Sequence, residues 1–358
     1  TRRGATRHDA PTNLLRATAE ATAAAIGGAD AITIRPWDHA LGGDSRAAER
    51  LTVTMQAVLR REGRIGDVAD PCAGAYFLET LTDAIAREAF NIWQELEAGG
   101  GILPALRDGA LQRRIAVQRA DVLAAIASRS VAIVGVSVSP AATVAASGSG
   151  RDDVALPFAA DALASIQDVG GARDALRIGA TIAAVEASIA RCGDDNDAEV
   201  CTPLCAMRWA TGWEVLRQRL DGLGDAAPLV FLAALGPPNR HKGRLDFARE
   251  LFTAGGFRVA EGPSGANVES IATALTASGC DGVAICGHDD DVARSALALC
   301  AEVQRFAPRF IAVMGRPRAA EAELRIAGVN HFVFLGSDVL AQLNACAQRC
   351  GAGEGSRP

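Results

Sequence analysis

Leu229-Val230-Phe231-Leu232-Ala233-Ala234-Leu235, followed at once by Gly236-Pro237-Pro238-Asn239-Arg240-His241-Lys242-Gly243, is the stretch that decides the fold. Seven apolar residues without polar alternation suit a strand buried on both faces, as in a parallel sheet. The glycine and two prolines then end the run. Working outward, the same kind of run recurs at 257–260, 282–286, 310–314 and 331–335. Helical patterns lie between and after these runs, at 245–254, 268–278, 291–306, 319–327 and 338–350.

Five successive βα units predict a doubly wound parallel sheet of flavodoxin type over residues 227–352. Ligands of such sheets bind outside the carboxyl ends of the strands, so the segment 236–243 is the first place to look for a site. Upstream, residues 1–109 alternate helical stretches at 13–26, 45–61 and 79–98 with a short apolar run at 31–34 and a strand end at 67–71. Ser45 is placed to cap the second helix, and Gly63 to end it. Helix, strand, helix, strand, helix is α/β wiring. Residues 110–226 read as a helical linker, with helices at 111–127 and 172–191 and mobile loops at 138–151 and 192–205.

The chain has 358 residues, 49% hydrophobic and 22% charged, enough to bury a sizeable core. A net charge of −6 offers no basic face to neutralise phosphates, which argues against nucleic-acid or membrane-surface binding. All basic residues but Lys242 are Arg, spread evenly. No long uncharged apolar run predicts a membrane span. Nine cysteines, several inside apolar runs, suit a reducing cytosol. The pairs Cys201/Cys205 and Cys346/Cys350 have no His near them, and zinc needs four convergent ligands, so no metal is expected. The chain opens on Thr1 in sequence of mid-domain character, which reads as a fragment lacking its N-terminal part.

A specific series runs through the first zone: Asn13-Leu14-Leu15-Arg16, Gly27-Gly28-Ala29-Asp30-Ala31-Ile32, Asp38 with Ala40-Leu41-Gly42, then Val68-Ala69-Asp70-Pro71, Gly74, Tyr76, Glu79, Leu81-Thr82 and Gln94-Glu95-Leu96-Glu97. In order and spacing it resembles the end of the (β/α)₈ TIM barrel of methylmalonyl-CoA mutases and related acyl-CoA mutases. In that family a helical linker and a flavodoxin-like cobalamin-binding domain follow the barrel, matching the second and third zones. The resemblance implies a carbon-skeleton isomerisation of an acyl-CoA by an adenosylcobalamin radical, the protein supplying binding and seclusion.

Active members carry Asp-x-His-x-x-Gly after the first strand of that domain. The His ligates cobalt, and the Asp hydrogen-bonds its other ring nitrogen. Here Pro238 falls on the Asp position and Arg240 on the His position, while Gly243 keeps the Gly. Pro238 offers no side-chain acceptor, and Arg240 is a permanent cation without a lone pair for cobalt. His241 stands one residue later, without an Asp partner and behind two stiffening prolines, and reads as a loop His near a helix start. The nucleotide-tail slot of the family would be filled here by Cys286, Arg316 and Phe334. His288, followed by three Asp, reads as a solvated helix start. In the barrel part, Thr33 stands on a family His position, Arg35 reads as a plug of an unused barrel or a CoA contact, and Ala73-Gly74-Ala75 replaces Gly-Gly-Ser. Asp70 reads as a cap and Tyr76 as packing.

The resemblance therefore implies a small, non-catalytic subunit of a methylmalonyl-CoA mutase heterodimer. No catalytic residue is expected in this chain, and no cofactor bound by it. Adenosylcobalamin would sit in a partner large subunit, with acyl-CoA as the substrate of the complex in the cytoplasm. Two alternatives stand beside it. One is an active subunit using His241 or dimethylbenzimidazole as lower ligand. The other is a non-enzymatic interaction module on a flavodoxin-like domain.

Overall fold

The structure, a computed structural model, describes residues 3–43, 45–140, 169–177, 179–186, 201–204, 206–265 and 267–352. Its elements in chain order are α1 (Thr12–Ile26), α2 (Arg46–Arg61), α3 (Tyr76–Ala98), α4 (Ile102–Arg107), α5 (Ala110–Ala127), α6 (Val169–Arg177) and α7 (Thr211–Asp221), then β1 (Leu229–Ala234), α8 (Pro238–Gly255), β2 (Arg258–Glu261), α9 (Val268–Ser278), β3 (Gly282–Cys286), α10 (Asp289–Gln304), β4 (Phe310–Met314), α11 (Glu321–Ile326), β5 (His331–Val333) and α12 (Val339–Arg349). Contacts group the chain into two units. One comprises Thr1–Ala73, Ala116–Ser149 and Ala206–Pro358, and the other Gly74–Ile115 and Gly150–Cys205.

The sheet lies in the first unit. Its strands run parallel in the order β2-β1-β3-β4-β5. Alternate residues of each strand feed opposite faces, because successive side chains of a strand point to opposite sides. Val230, Leu232, Ala284, Cys286, Ala312 and Met314 pack with α7, α8 and α12 on one face. Phe231, Ala233, Val283, Ile285, Ile311 and Val313 pack with α9, α10 and α11 on the other. The central strands β1, β3 and β4 are thus apolar throughout, which is why their runs are continuous in sequence, whereas the edge strands β2 and β5 carry Arg258, Glu261 and His331.

Helix α7 falls in the stretch read as linker, yet Trp213, Leu216 and Leu220 are fully buried in the sheet's core. Their spacing makes one apolar stripe on a helix. The buried Glu214 of α7 also ties down the N-terminal segment: Oε1 accepts the Arg7 backbone N–H at 2.5 Å, and Oε2 pairs with Arg208 at 2.6 Å. Ser45 does cap α2, its hydroxyl accepting the Ala48 N–H at 3.2 Å.

Residues 31–34 and 67–71 are not strands; turns and extended chain join the helices there. A parallel strand exists only through a neighbour's backbone groups, and none of the described residues between 3 and 109 forms a second strand. In the second unit, α3 runs for 23 residues and buries none of them. Tyr76, read as packing, is 85% exposed at its start. Of the loops expected at 138–151 and 192–205, residues 141–151, 192–200 and 205 lie outside the described residues, as do 178 and 187–191 of the helix expected at 172–191. Among the described residues, no helix is long and apolar enough to cross a membrane.

Candidate functional site

The turns at the carboxyl ends of β1 and β3 flank the point where the strand order reverses. Helix α8 leaves β1 onto one face, and α10 leaves β3 onto the other. A crevice at such a point is where open α/β sheets take ligands.

The β1–α8 connection is short. Gly236 turns the chain at φ +81°, Pro237 is extended, and α8 starts at Pro238. Proline suits the first helical position, since its fixed φ is helical and its missing N–H is not needed there. Arg240, His241, Gly243 and Arg244 therefore stand on the first two turns of a helix, which corrects the reading of His241 as a loop residue.

His241 is only 1% exposed, and both of its ring nitrogens are engaged. Nδ1 lies 3.0 Å from the Gly236 carbonyl oxygen, so Nδ1 carries the proton and donates. Nε2 is left as the acceptor for the Ser264 hydroxyl at 3.0 Å. The lone pair a metal would need is thereby occupied from within the fold.

Arg240 reaches across the crevice to the first turn of α10. Its Nε is 2.8 Å from Asp291 Oδ2, and one Nη is 3.0 Å from Asp290 Oδ2 and 2.9 Å from His288 Nδ1. Arg244, one turn further on, donates to Asp289 Oδ1 at 2.7 Å and to the Gly287 carbonyl at 2.5 Å. The three carboxylates sit where a helix N-terminus favours negative charge. His288 is the N-cap of α10, its ring accepting the Asp290 N–H. The turns fit tightly around the pairs: a Cβ on Gly236 would lie 2.7 Å from Asp291 Oδ2, and one on Gly315 2.5 Å from Arg244. Two guanidinium groups thus bridge the mouth of the crevice.

Of the three residues expected to fill a common slot, Arg316 and Phe334 meet, and Cys286 lies apart from them. Cys286 ends β3 fully buried on the α8 face, and burial pushes its thiol up. Phe334 packs on the opposite face. Arg316 lies over the Phe334 ring at 5.2 Å and pairs with Glu321 at 2.8 Å. The register is the reason: Cys286 is level with Met314 and Val333, and Phe334 follows Val333 just past the end of β5. Arg244 and Asp289–Asp291 were missed as a unit. The signal was two Arg four apart on one helix and three successive Asp on another.

Upstream, a cavity of about 310 Å³ lies between α1 and the extended segment 32–37. Arg35 on its wall is exposed, with one Nη 2.5 Å from His39 Nε2. Asp70 is exposed in a turn. Among the described residues, no group of three or more His, Cys, Asp or Glu is placed to hold a metal.

A family model described as methylmalonyl-CoA mutase matches residues 2–212. The methylmalonyl-CoA mutase small subunit of Streptomyces virginiae is 30% identical over 351 residues, covering 97% of this chain and 48% of that protein. The small subunit of Porphyromonas gingivalis is 27% identical over 343 residues, covering 96% and 49%. The mitochondrial methylmalonyl-CoA mutase of Bos taurus is 36% identical over 132 residues, 37% of this chain and 18% of that protein. The chain spans about half the length of the small subunits it matches.

Proposed function

The chain belongs to the methylmalonyl-CoA mutase family, and from that premise we propose that it serves in the small subunit of a heterodimeric mutase and does not itself bind cobalamin. Relatives named as small subunits match it nearly end to end, whereas the bovine mutase matches about a third of it. In this reading residues 1–109 close a TIM barrel, residues 110–226 form the linker, and the parallel sheet in the order 2-1-3-4-5 is a flavodoxin-like domain of cobalamin-binding type.

The observation that carries the proposal is the Arg240 clamp. Adenosylcobalamin is the cofactor the family implies, and this chain's donor set does not fit it. Pro238 has no acceptor, Arg240 has no lone pair and is spent on Asp290 and Asp291, and both His241 nitrogens are bound inside the fold. The role left to this chain is to hold and complete a large subunit that carries the isomerase chemistry on acyl-CoA.

Two measurements test this. Titration of the chain with adenosylcobalamin is expected to leave the cobalt absorbance spectrum unchanged, and micromolar binding with a shifted spectrum overturns the proposal. Co-expression with a mutase large subunit is expected to give a complex with cobalamin in the large subunit. Failure of the two to associate overturns the subunit role.

A further inference from the structure

At the β5 edge of the sheet lies a cavity of about 280 Å³, lined in part by Arg316 and Phe334. The guanidinium groups of Arg316 and Arg325 line it, lying over the Phe334 and Phe332 rings at 5.2 and 4.9 Å. Both pair with one carboxylate: Arg316 Nε is 2.8 Å from Glu321 Oε2, and an Arg325 Nη is 3.0 Å from Oε1. The two Arg bonds, Arg316 first, hold the Glu321 carboxyl below its ordinary range, so it stays charged. Two cations against one anion leave a net positive charge on the wall. Each guanidinium has five N–H donors and spends one on Glu321. Stacking on the rings keeps both planes in place.

Two more polar groups complete the wall. The Gln342 amide donates through Nε2 to the Phe332 carbonyl at 3.2 Å, which fixes its orientation. Its Oε1 is buried with no partner, and so is His331 Nε2. Burial first, then Arg349 and Arg325, lowers the His331 pKa and keeps the ring neutral. A buried polar atom without a partner costs about 1–3 kcal/mol, so these atoms favour whatever satisfies them.

We propose that this cavity binds a small oxyanion that also carries a hydroxyl group, with the oxyanion on Arg316 and Arg325 and the hydroxyl donating to Gln342 Oε1. A phosphate monoester of a small polyol has that chemistry, and the cavity is of the right order for one. The inference stands independently of the mutase reading.

Isothermal titration of the whole chain at low ionic strength, with glycerol 3-phosphate and inorganic phosphate as probes, tests it. Glycerol 3-phosphate is expected to saturate one site and to bind about tenfold more tightly than inorganic phosphate, the worth of one good added hydrogen bond. Arg325→Gln should weaken both probes by about tenfold, as loss of a charge-assisted bond does. Arg316→Gln should do the same and serves if the first variant does not fold. Gln342→Leu should erase the preference between the probes and leave inorganic phosphate unchanged. Arg294→Gln, which lies on α10 outside the cavity, should change neither. Absence of saturable heat at about 1 mM probe, or an equal loss in Arg294→Gln, overturns the site. A preference that survives Gln342→Leu overturns the hydroxyl contact.

Discussion

Replacing Arg240 by Met removes the cation that bridges the crevice and keeps an unbranched stem to cover the helix surface. Asp291 is 8% exposed and would retain only Arg294, at 2.9 Å, whose side chain is 70% exposed. Breaking a fully buried ion pair costs about 3–5 kcal/mol, and an exposed one about 0–1 kcal/mol. Arg240 is 36% exposed, and Asp290 is 67% exposed. The Asp290 contact therefore falls at the exposed end, and the Asp291 contact lies between the limits with Arg294 retaining part of it. Together they give about 2 kcal/mol, near the value of one hydrogen bond to a charged group. Because the chain forms two units, a single unfolding midpoint is ill-defined. Native-state amide exchange on peptides covering Leu229–Ala234 and Gly282–Cys286 reads the sheet directly. The expected result is exchange about thirtyfold faster than in the parent chain. A cycle with Asp291→Asn should show a coupling above about 1 kcal/mol. Exchange changed less than about twofold, with no coupling to Asp291, would refute the clamp as a structural element and leave it as surface decoration.

Three further outcomes follow from other contacts. Burial works to raise the Glu250 carboxyl, but the Ser139 N–H and Arg129, each at 2.6 Å, outweigh it and hold the pKa below the ordinary 4.5. A depressed carboxyl lends stability that is complete above that ordinary value and is lost as pH falls through the folded one. Glu250→Gln should therefore flatten the acid limb of exchange protection in the segment 129–139 and leave its neutral-pH shape alone. Iodoacetamide at pH 8 should label the exposed Cys201 and spare Cys286, Cys346 and Cys300 until the chain is denatured, because burial pushes all three thiols up, that of Cys300 to about 11; peptide mapping reads the order. The double variant Pro238→Asp with Arg240→His, which would write the family's Asp-x-His pair into this sequence, should bind no cobalamin by absorbance and should lose sheet protection as Arg240→Met does.

The central strands were legible because burial on both faces demands apolar side chains at every position. The runs at 229–235 and 282–286 needed no alternation to be recognised, and the structure places β1 and β3 on them within one residue. The run at 31–34 has the same local character, but a strand is completed by its neighbours, and periodicity over four residues says nothing of them. Helix α7 carries a readable stripe in Trp213, Leu216 and Leu220, yet its burial depends on a sheet that begins eight residues later. At the site, that Arg240 has no lone pair for a metal followed from residue chemistry alone. Its engagement with Asp290 and Asp291 did not, because α8 and α10 come together only through the packing of opposite faces of the sheet.

Where a ligand can still enter follows from how the charges pair. At the crevice, Asp289 is matched by Arg244, Asp290 by Arg240, and Asp291 by Arg240 and Arg294. Each carboxylate already has a guanidinium, so a ligand must break an ion pair before making a contact. That cost is of the same order as a charged hydrogen bond it could form in return. In the proposed reading, where Arg240 stands on a cobalt-ligating His position, the Arg does two things at once: it offers no donor to a metal, and it ties the mouth of the crevice to the α10 N-terminus. A His at position 240 would change only the first, and would leave Asp290 without a guanidinium and Asp291 with Arg294 alone. At the β5 edge the count is different. Arg316 and Arg325 share the single Glu321, so spare donors and one positive charge face a cavity with an unsatisfied amide oxygen. In the proposal above, an incoming oxyanion adds bonds there without breaking an ion pair, which favours the β5 edge over the crevice between β1 and β3 as the place to look for binding.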